Sequence, residues 1–213
     1  SVTPPCRLKN PAMPLHPLRH VFLSAGLILL ASVLFTTARA EVQIDRIFMP
    51  HQASPSSFAI GLPGGVSFCW DPLRGAVNYV WKGGFIDATP ARPGVGKFIE
   101  AVKLLGPIVY QETGAVPLRR DDPAREPTVE FTGYTLKADA IEFRYTVNGL
   151  PVREEIRARA DGAALVRRLQ IEGGSDGRWW HVVTGRPATE LKRDASGAFV
   201  LELPLAAGNT EKR

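Results

Sequence analysis

The chain has 213 residues, 45% of them hydrophobic, with 26 basic and 21 acidic side chains and a formal charge of +5. Residues 1–40 hold Arg7, Lys9, Arg19 and Arg39 and no acidic residue, which leaves 22 basic against 21 acidic residues in 41–213. A nucleic-acid surface needs clustered positive charge, whereas Arg119-Arg120 is answered at once by Asp121-Asp122 and Arg167-Arg168 falls within an apparent strand, so no nucleic-acid partner is expected.

Arg19 and His20 stand before an apolar run over 21–35, and Thr36-Thr37-Ala38-Arg39-Ala40 follows it. A basic start, a hydrophobic stretch and an A-x-A site in that order read as a cleavable signal peptide. Met13 is the expected initiator, and residues 1–12, with Pro4, Pro5 and Pro11, are upstream of it. A spanning helix needs about 20 apolar residues, and this run falls short, so contact with a membrane is expected only if the segment stays uncleaved. The expected location is the periplasm or the exterior. Cys69 alone lies beyond the cleavage site, so no internal disulfide is expected, although export would permit one. Between Phe68 and Trp70 it reads as a small apolar core residue.

The remaining 173 residues suffice for one domain, 41–213. Short alternating runs cut by Gly, Pro, Asn and Asp predict strands over 42–48, 57–61, 66–71, 76–82 and 85–88. A helix or irregular turn is expected over 97–105, and the polar segment 111–127, with Pro117, Pro123 and Pro127, reads as a long exposed loop. Further strands follow over 128–136, 140–147, 152–160, 164–171, 178–183 and 198–203. Such a chain argues for a sandwich or barrel; the expectation is an all-β, antiparallel β-sandwich with little helix. From residue 208 no element follows, and the chain either stops inside a larger protein or ends in a frayed tail.

The runs over 140–171 predict a three-strand meander. Asn148-Gly149 suggests a two-residue turn, which would set Arg144 against Arg153. A four-residue loop, 148–151, sets Arg144 against Glu155 and Glu142 against Arg157 instead. Opposite charges across a pair stabilise it by roughly 0.2–1 kcal/mol, so the longer loop is the expectation. Asp161-Gly162 then turns the chain so that Ala158 faces Leu165.

Gly94-Val95-Gly96-Lys97 has Ala91 and Phe98 where a phosphate loop needs glycine and Ser or Thr. Gly61-Leu62-Pro63-Gly64-Gly65 reads as a hairpin connection. His51 and His181 lack metal-ligand spacing, and neither a nucleophile elbow nor a C-x-x-C-H haem motif is present. No metal and no cofactor are expected.

Two aromatic clusters remain: Trp70-Asp71 with Tyr79, Trp81 and Asp87, and Trp179-Trp180-His181. Two roles compete for these rings. One is packing in the core, where large aromatics ordinarily go. The other is stacking on a sugar ring while neighbouring carboxylates accept its hydroxyls. Trp179 and Trp180 point to opposite faces of a strand. The candidate ligand-binding residues are therefore Trp70, Asp71, Tyr79, Trp81, Asp87, Trp179, Trp180 and His181, with a glycan as partner.

The stretches Ala59-Ile60-Gly61-Leu62-Pro63-Gly64-Gly65, Trp81-Lys82-Gly83-Gly84-Phe85-Ile86-Asp87, Gly133-Tyr134-Thr135-Leu136, Phe143-Arg144-Tyr145 and Leu165-Val166-Arg167-Arg168-Leu169 carry a resemblance. Together they resemble an exported domain of certain environmental bacteria. In those proteins the domain accompanies c-type cytochrome and sorbosone- or glucose-dehydrogenase-like modules. The resemblance implies a cytochrome or dehydrogenase module as partner and supplies no catalytic residue. The expected function is an exported, non-catalytic accessory or recognition domain, carbohydrate-binding and part of a larger oxidoreductase system. The alternative is a carbohydrate-active enzyme with a sandwich fold, drawing two carboxylates from Asp71, Asp87, Glu100 and Glu112. N-terminal sequencing of protein secreted from a bacterial host is expected to start at Glu41; an intact 21–35 segment in the membrane fraction would contradict cleavage.

Overall fold

The computed structural model describes residues 41–205 except 93, 96, 97, 113, 174 and 175. The expected signal segment, the tail from 208 and Lys97 lie outside the described residues. All described residues fall in one compact unit, Arg39–Arg213. In chain order the strands are β1 (Gln43–Arg46), β2 (Phe58–Leu62), β3 (Val66–Asp71), β4 (Ala76–Lys82), β5 (Ile86–Asp87), β6 (Lys103–Leu104), β7 (Ile108–Gln111) and β8 (Leu118–Arg120). They continue with β9 (Val129–Leu136), β10 (Ala140–Val147), β11 (Leu150–Ala158), β12 (Ala164–Ile171), β13 (Trp179–His181), β14 (Thr189–Glu190) and β15 (Phe199–Pro204). The described residues contain no α-helix, only a 3-10 turn at Thr89–Ala91.

The fold is an all-β antiparallel sandwich. One five-stranded sheet runs β1-β2-β3-β4-β7 and the other β15-β12-β11-β10-β9. Between them lies the main core, with Phe58, Phe68, Trp70 and Val80 from the first sheet and Phe143, Tyr145, Ile156 and Leu169 from the second. Trp70 stacks on Phe143 with centroids 3.8 Å apart and planes within 2°, a pairing that adds about 1 kcal/mol beyond the area buried. A smaller sheet, β14-β13-β8, contributes Leu118 and Trp179 to the same core, and Leu191 joins them from just after β14.

The first sheet is covered on its other face as well. Ala59, Cys69, Tyr79 and Trp81 point away from the main core and pack with Ile47, Met49, Ala53 and Val102. That double burial is why β2, β3 and β4 read as nearly unbroken apolar runs rather than clean alternations. Of the segment 97–105, expected as a helix or turn, Val102 and Leu104 join this cover while Phe98, Ile99 and Leu105 are exposed. Val102 N–H donates to Phe48 O at 3.0 Å, and β6 pairs with β5. The expected exposed loop over 111–127 is also different: Glu112, Val116, Leu118 and Arg119 are buried. β8 pairs with β13 there, and the Arg119 guanidinium donates to Val116 O and Pro123 O.

The meander forms, but in the other register. Arg144 lies opposite Arg153 and Val147 opposite Leu150, because Asn148 and Gly149 both take positive φ, 50° and 79°. That is the geometry of a two-residue hairpin turn matched to strand twist. Neighbours absorb the like charges. Arg144 donates to Thr135 Oγ1 at 2.9 Å, and Arg153 lies 3.2 Å from Glu172. Glu142 faces Glu155, with Lys137 Nζ bridging them at 2.9 and 2.5 Å. Ala158 faces Leu165 as expected.

The second sheet also carries charge on its inward face. Glu154 sits between Val152 and Ile156 on β11, and Arg167 between Leu165 and Leu169 on β12. Both are fully buried and form an ion pair. Tyr145 Oη donates to Glu154 at 3.0 Å, and Arg167 Nη2 donates to Gly75 O at 3.3 Å across the sandwich. Gly75 has φ +58°, and a Cβ there would come within 2.8 Å of the Tyr145 ring. Removing one partner of such a pair leaves an uncompensated buried charge, at a cost of about 3–5 kcal/mol. Arg167→Met is expected to show that loss in denaturant unfolding, and Arg167→Met/Glu154→Leu to recover most of it. A double variant no more stable than the single would contradict the coupling.

Candidate functional site

The sandwich takes most of the candidate aromatic rings out of reach of a ligand. Trp70, Tyr79, Trp81 and Trp179 are core residues. Tyr79 Oη donates to Pro50 O at 3.0 Å, and Trp81 Nε1 is shared between Gly84 O and Phe85 O. Double burial of β3 and β4 leaves these two strands no outer face on which a sugar could stack. Trp180 is half-buried, its Nε1 donating to Asp121 O. Asp71 accepts from Leu73 N–H and Arg74 Nε at 3.0 and 2.9 Å, and Asp87 from Thr89 N–H at 2.9 Å; both close turns. Burial pushes the Cys69 thiol up to about 11, far from a reactive thiolate.

His181 is the candidate that the fold joins to other chemistry. On β13, Trp179 and His181 share the inward face and Trp180 takes the other. Tyr110, near the end of β7, packs against the main core, and Glu112, two residues on, continues the same face. A bulge in β4 sets the height of Glu112. Cys69 pairs with Tyr79 and Trp70 with Val77, leaving Asn78 as the extra residue. Asn78 O then accepts from Glu112 N–H at 2.7 Å, while its side-chain oxygen accepts from Arg74. The Glu112 carboxylate receives Tyr110 Oη at 2.7 Å on Oε2 and faces His181 Nε2 at 3.6 Å from Oε1. Oε1, Nε2 and Arg167 Nη1 are buried atoms without a hydrogen bond among the described residues.

Over this layer lies a cavity of about 150 Å³ lined by Tyr110, His181, Arg186, Thr189, Leu201 and Leu203, among others. Larger hollows of about 310 and 320 Å³ lie along Val42 and Leu136 and between Pro63 and Asp161. No buried titratable group lines either of them. The smaller cavity is the candidate site because buried polar groups converge beneath it.

Burial raises the Glu112 carboxyl above its ordinary 4.5, against the pull of Arg167, the Tyr110 hydroxyl, Arg74 and Arg186. Burial, then the charges of Arg167 and Arg186, lower His181 from 6.5 to about 4. The imidazole is therefore neutral near pH 7. Its Nε2 faces a carboxylate oxygen, which favours the proton there and leaves Nδ1 as the acceptor nitrogen of a ring that lines the cavity. The arrangement offers an acceptor at His181 and donors at Arg186 and Thr189. Among the described residues no three His, Cys, Asp or Glu side chains are grouped to hold a metal ion.

Compared with protein families, curated proteins and solved structures, the chain matches none. The sequence reading reached His181 directly and Glu112 as one carboxylate of four. It missed Tyr110, Arg186 and the Glu154–Arg167 pair. The pair had a signal: in each of two adjacent strands a charged residue occupies an inward position of an apolar alternation.

The pKa of His181 sets a pH dependence. The unfolded chain takes a proton near pH 6.5 and the folded chain only near 4. Stability present above about pH 6.5 is therefore lost as pH falls toward 4, by up to about 3 kcal/mol. Glu112 acts in the opposite sense, because its raised folded pKa lets the folded state gain a proton first. Denaturant unfolding at about pH 7 and pH 4.5 is expected to show a smaller acid loss in His181→Asn and a larger one in Glu112→Gln than in the unsubstituted protein.

Proposed function

We propose that this chain is an exported recognition domain without catalysis of its own, which binds part of a glycan in the cavity above Tyr110, Glu112 and His181. The observation that carries the reading is a preformed cavity whose floor and rim present fixed donors and acceptors on a rigid sandwich. At about 150 Å³ it is smaller than the roughly 300 Å³ at which drug-sized pockets begin, a size that suits one sugar unit or the end of a chain. Binding there needs no exposed tryptophan, so it stands without the stacking platform anticipated at Trp70, Tyr79 and Trp81. The cytochrome or dehydrogenase module implied by the sequence resemblance is proposed as the larger system that this domain serves, in the periplasm or outside the cell.

A sugar-cleaving role is the second reading, and the raised Glu112 carboxyl favours it, since a general acid must hold its proton near neutral pH. The imidazole argues the other way. A general base works best with a pKa near the operating pH, and His181 at about 4 is too weak.

Calorimetric titration of the purified exported protein with soluble monosaccharides and short oligosaccharides, beside a reducing-sugar assay, separates the readings. Binding without turnover, weakened by His181→Ala, is the expected result. Turnover abolished by Glu112→Gln would establish the enzyme, and neither binding nor turnover would remove both readings.

A further inference from the structure

The charges around the cavity are paired off one by one, with a single exception at the rim. Glu202, which lines the cavity, has its carboxylate 3.1 Å from Arg159 Nη1. Beneath, Arg74 is tied to Asp71 at 2.9 Å, and Arg167 to Glu154. Glu112, buried, shares its carboxylate with Tyr110 and His181. His181 is neutral near pH 7 for the reasons given above. Arg186 is exposed on the turn 183–186, where its N–H donates to Val183 O at 3.0 Å. No carboxylate among the described residues lies within ion-pair distance of it. Its charge nevertheless reaches the buried layer, since it acts on Tyr110, Glu112 and His181 alike. An arginine so placed faces the cavity as well as solvent, and its planar fork matches a carboxylate.

We propose that the cavity selects an acidic sugar, with the carboxylate of a uronate on the Arg186 guanidinium and a ring hydroxyl donating to His181 Nδ1. This rests on the glycan-recognition reading above and names the class of glycan. The two contacts differ in kind, which is what gives the site its selectivity. Arg186 offers only donors and His181 Nδ1 only an acceptor, so the ligand must carry an anionic acceptor and, a short distance away, a donor. A uronic acid has both; a neutral hexose lacks the first and a simple carboxylate the second. Glu112 is a positioning residue here, because its Oε1 faces Nε2 and so favours the tautomer in which Nδ1 is the acceptor. The Leu201 and Leu203 side chains in the lining give the sugar's C–H face an apolar wall.

The test titrates the purified exported protein with D-glucuronate, D-galacturonate, D-glucose, D-galactose and acetate, at low and at raised salt. A hydrogen bond to a charged group is worth about tenfold or more in affinity. The expected result is a uronate bound at least about tenfold more tightly than its neutral counterpart, with that margin shrinking as salt rises. Arg186→Gln, on an exposed turn, is expected to keep its unfolding midpoint and to bring uronate and neutral sugar to equal affinity. Equal binding of uronate and neutral sugar by the unsubstituted protein would overturn the acidic-sugar inference while leaving glycan recognition in place, as would a preference that survives Arg186→Gln. Acetate binding as tightly as the uronates would overturn the sugar and leave an anion site. No binding of any sugar would overturn the recognition reading and this inference together.

Discussion

Two opposite charges lie wholly inside the sandwich, and dehydrating them costs several kcal/mol per ion before any attraction is counted. Arg167 and Glu154 tolerate that position because their hydrogen bonds are distributed across both sheets. Glu154 takes the Tyr145 hydroxyl from the neighbouring strand, and Arg167 reaches the Gly75 carbonyl at the turn between β3 and β4. Aliphatic packing is non-directional, whereas hydrogen bonds depend on angle as well as distance. The guanidinium contact with a single carbonyl is directional and fixes which part of the first sheet lies over which part of the second. Gly75 has to be glycine for the same reason, since a side chain there would strike Tyr145.

That charge also sets the electrostatics of the layer above it. Arg167 is among the groups that oppose the upward push of burial on the Glu112 carboxyl and that keep His181 neutral. The bulge at Asn78 and the run of β13 then bring the two side chains to 3.6 Å of one another. A polar layer of this kind is costly unless its members satisfy one another. Of the five buried side-chain atoms without hydrogen bonds among the described residues, three belong to this layer, on Glu112, His181 and Arg167; the others are Trp70 Nε1 and Arg120 Nε. The apolar part of the structure is correspondingly over-determined, with the first sheet packed on both faces and Trp70 laid flat on Phe143.

Much of the scaffold was legible from period and punctuation. Residues 66–71, 76–82, 140–147 and 164–171 are strands with the expected limits, because their apolar runs are long and end at Gly, Asn or Asp. The strands that escaped notice, β6, β7, β8 and β14, are short and are specified by partners rather than by their own pattern. In the β10–β11 hairpin, turn chemistry outweighs cross-strand charge. Two residues with positive φ decided the register, and long side chains on neighbouring strands neutralised what remained. The site was less legible. Tyr79 and Trp81 share a face, as alternation requires, but period cannot tell a face that meets solvent from one that meets a second cover. Glu112 stood out only once Asn78 and His181 were placed beside it, and Arg186 only once the cavity had a rim.

The interior ion pair thus governs the site as well as the fold, and the titration of His181 puts that dependence to the test. Imidazole resonances followed by NMR in the unsubstituted protein should give a midpoint of about 4. In the folded Arg167→Met/Glu154→Leu variant, the loss of the guanidinium charge should move that midpoint upward, toward the ordinary value of 6.5. A midpoint unchanged by the double substitution would contradict this and leave burial and the charge of Arg186 as the causes of the neutral imidazole.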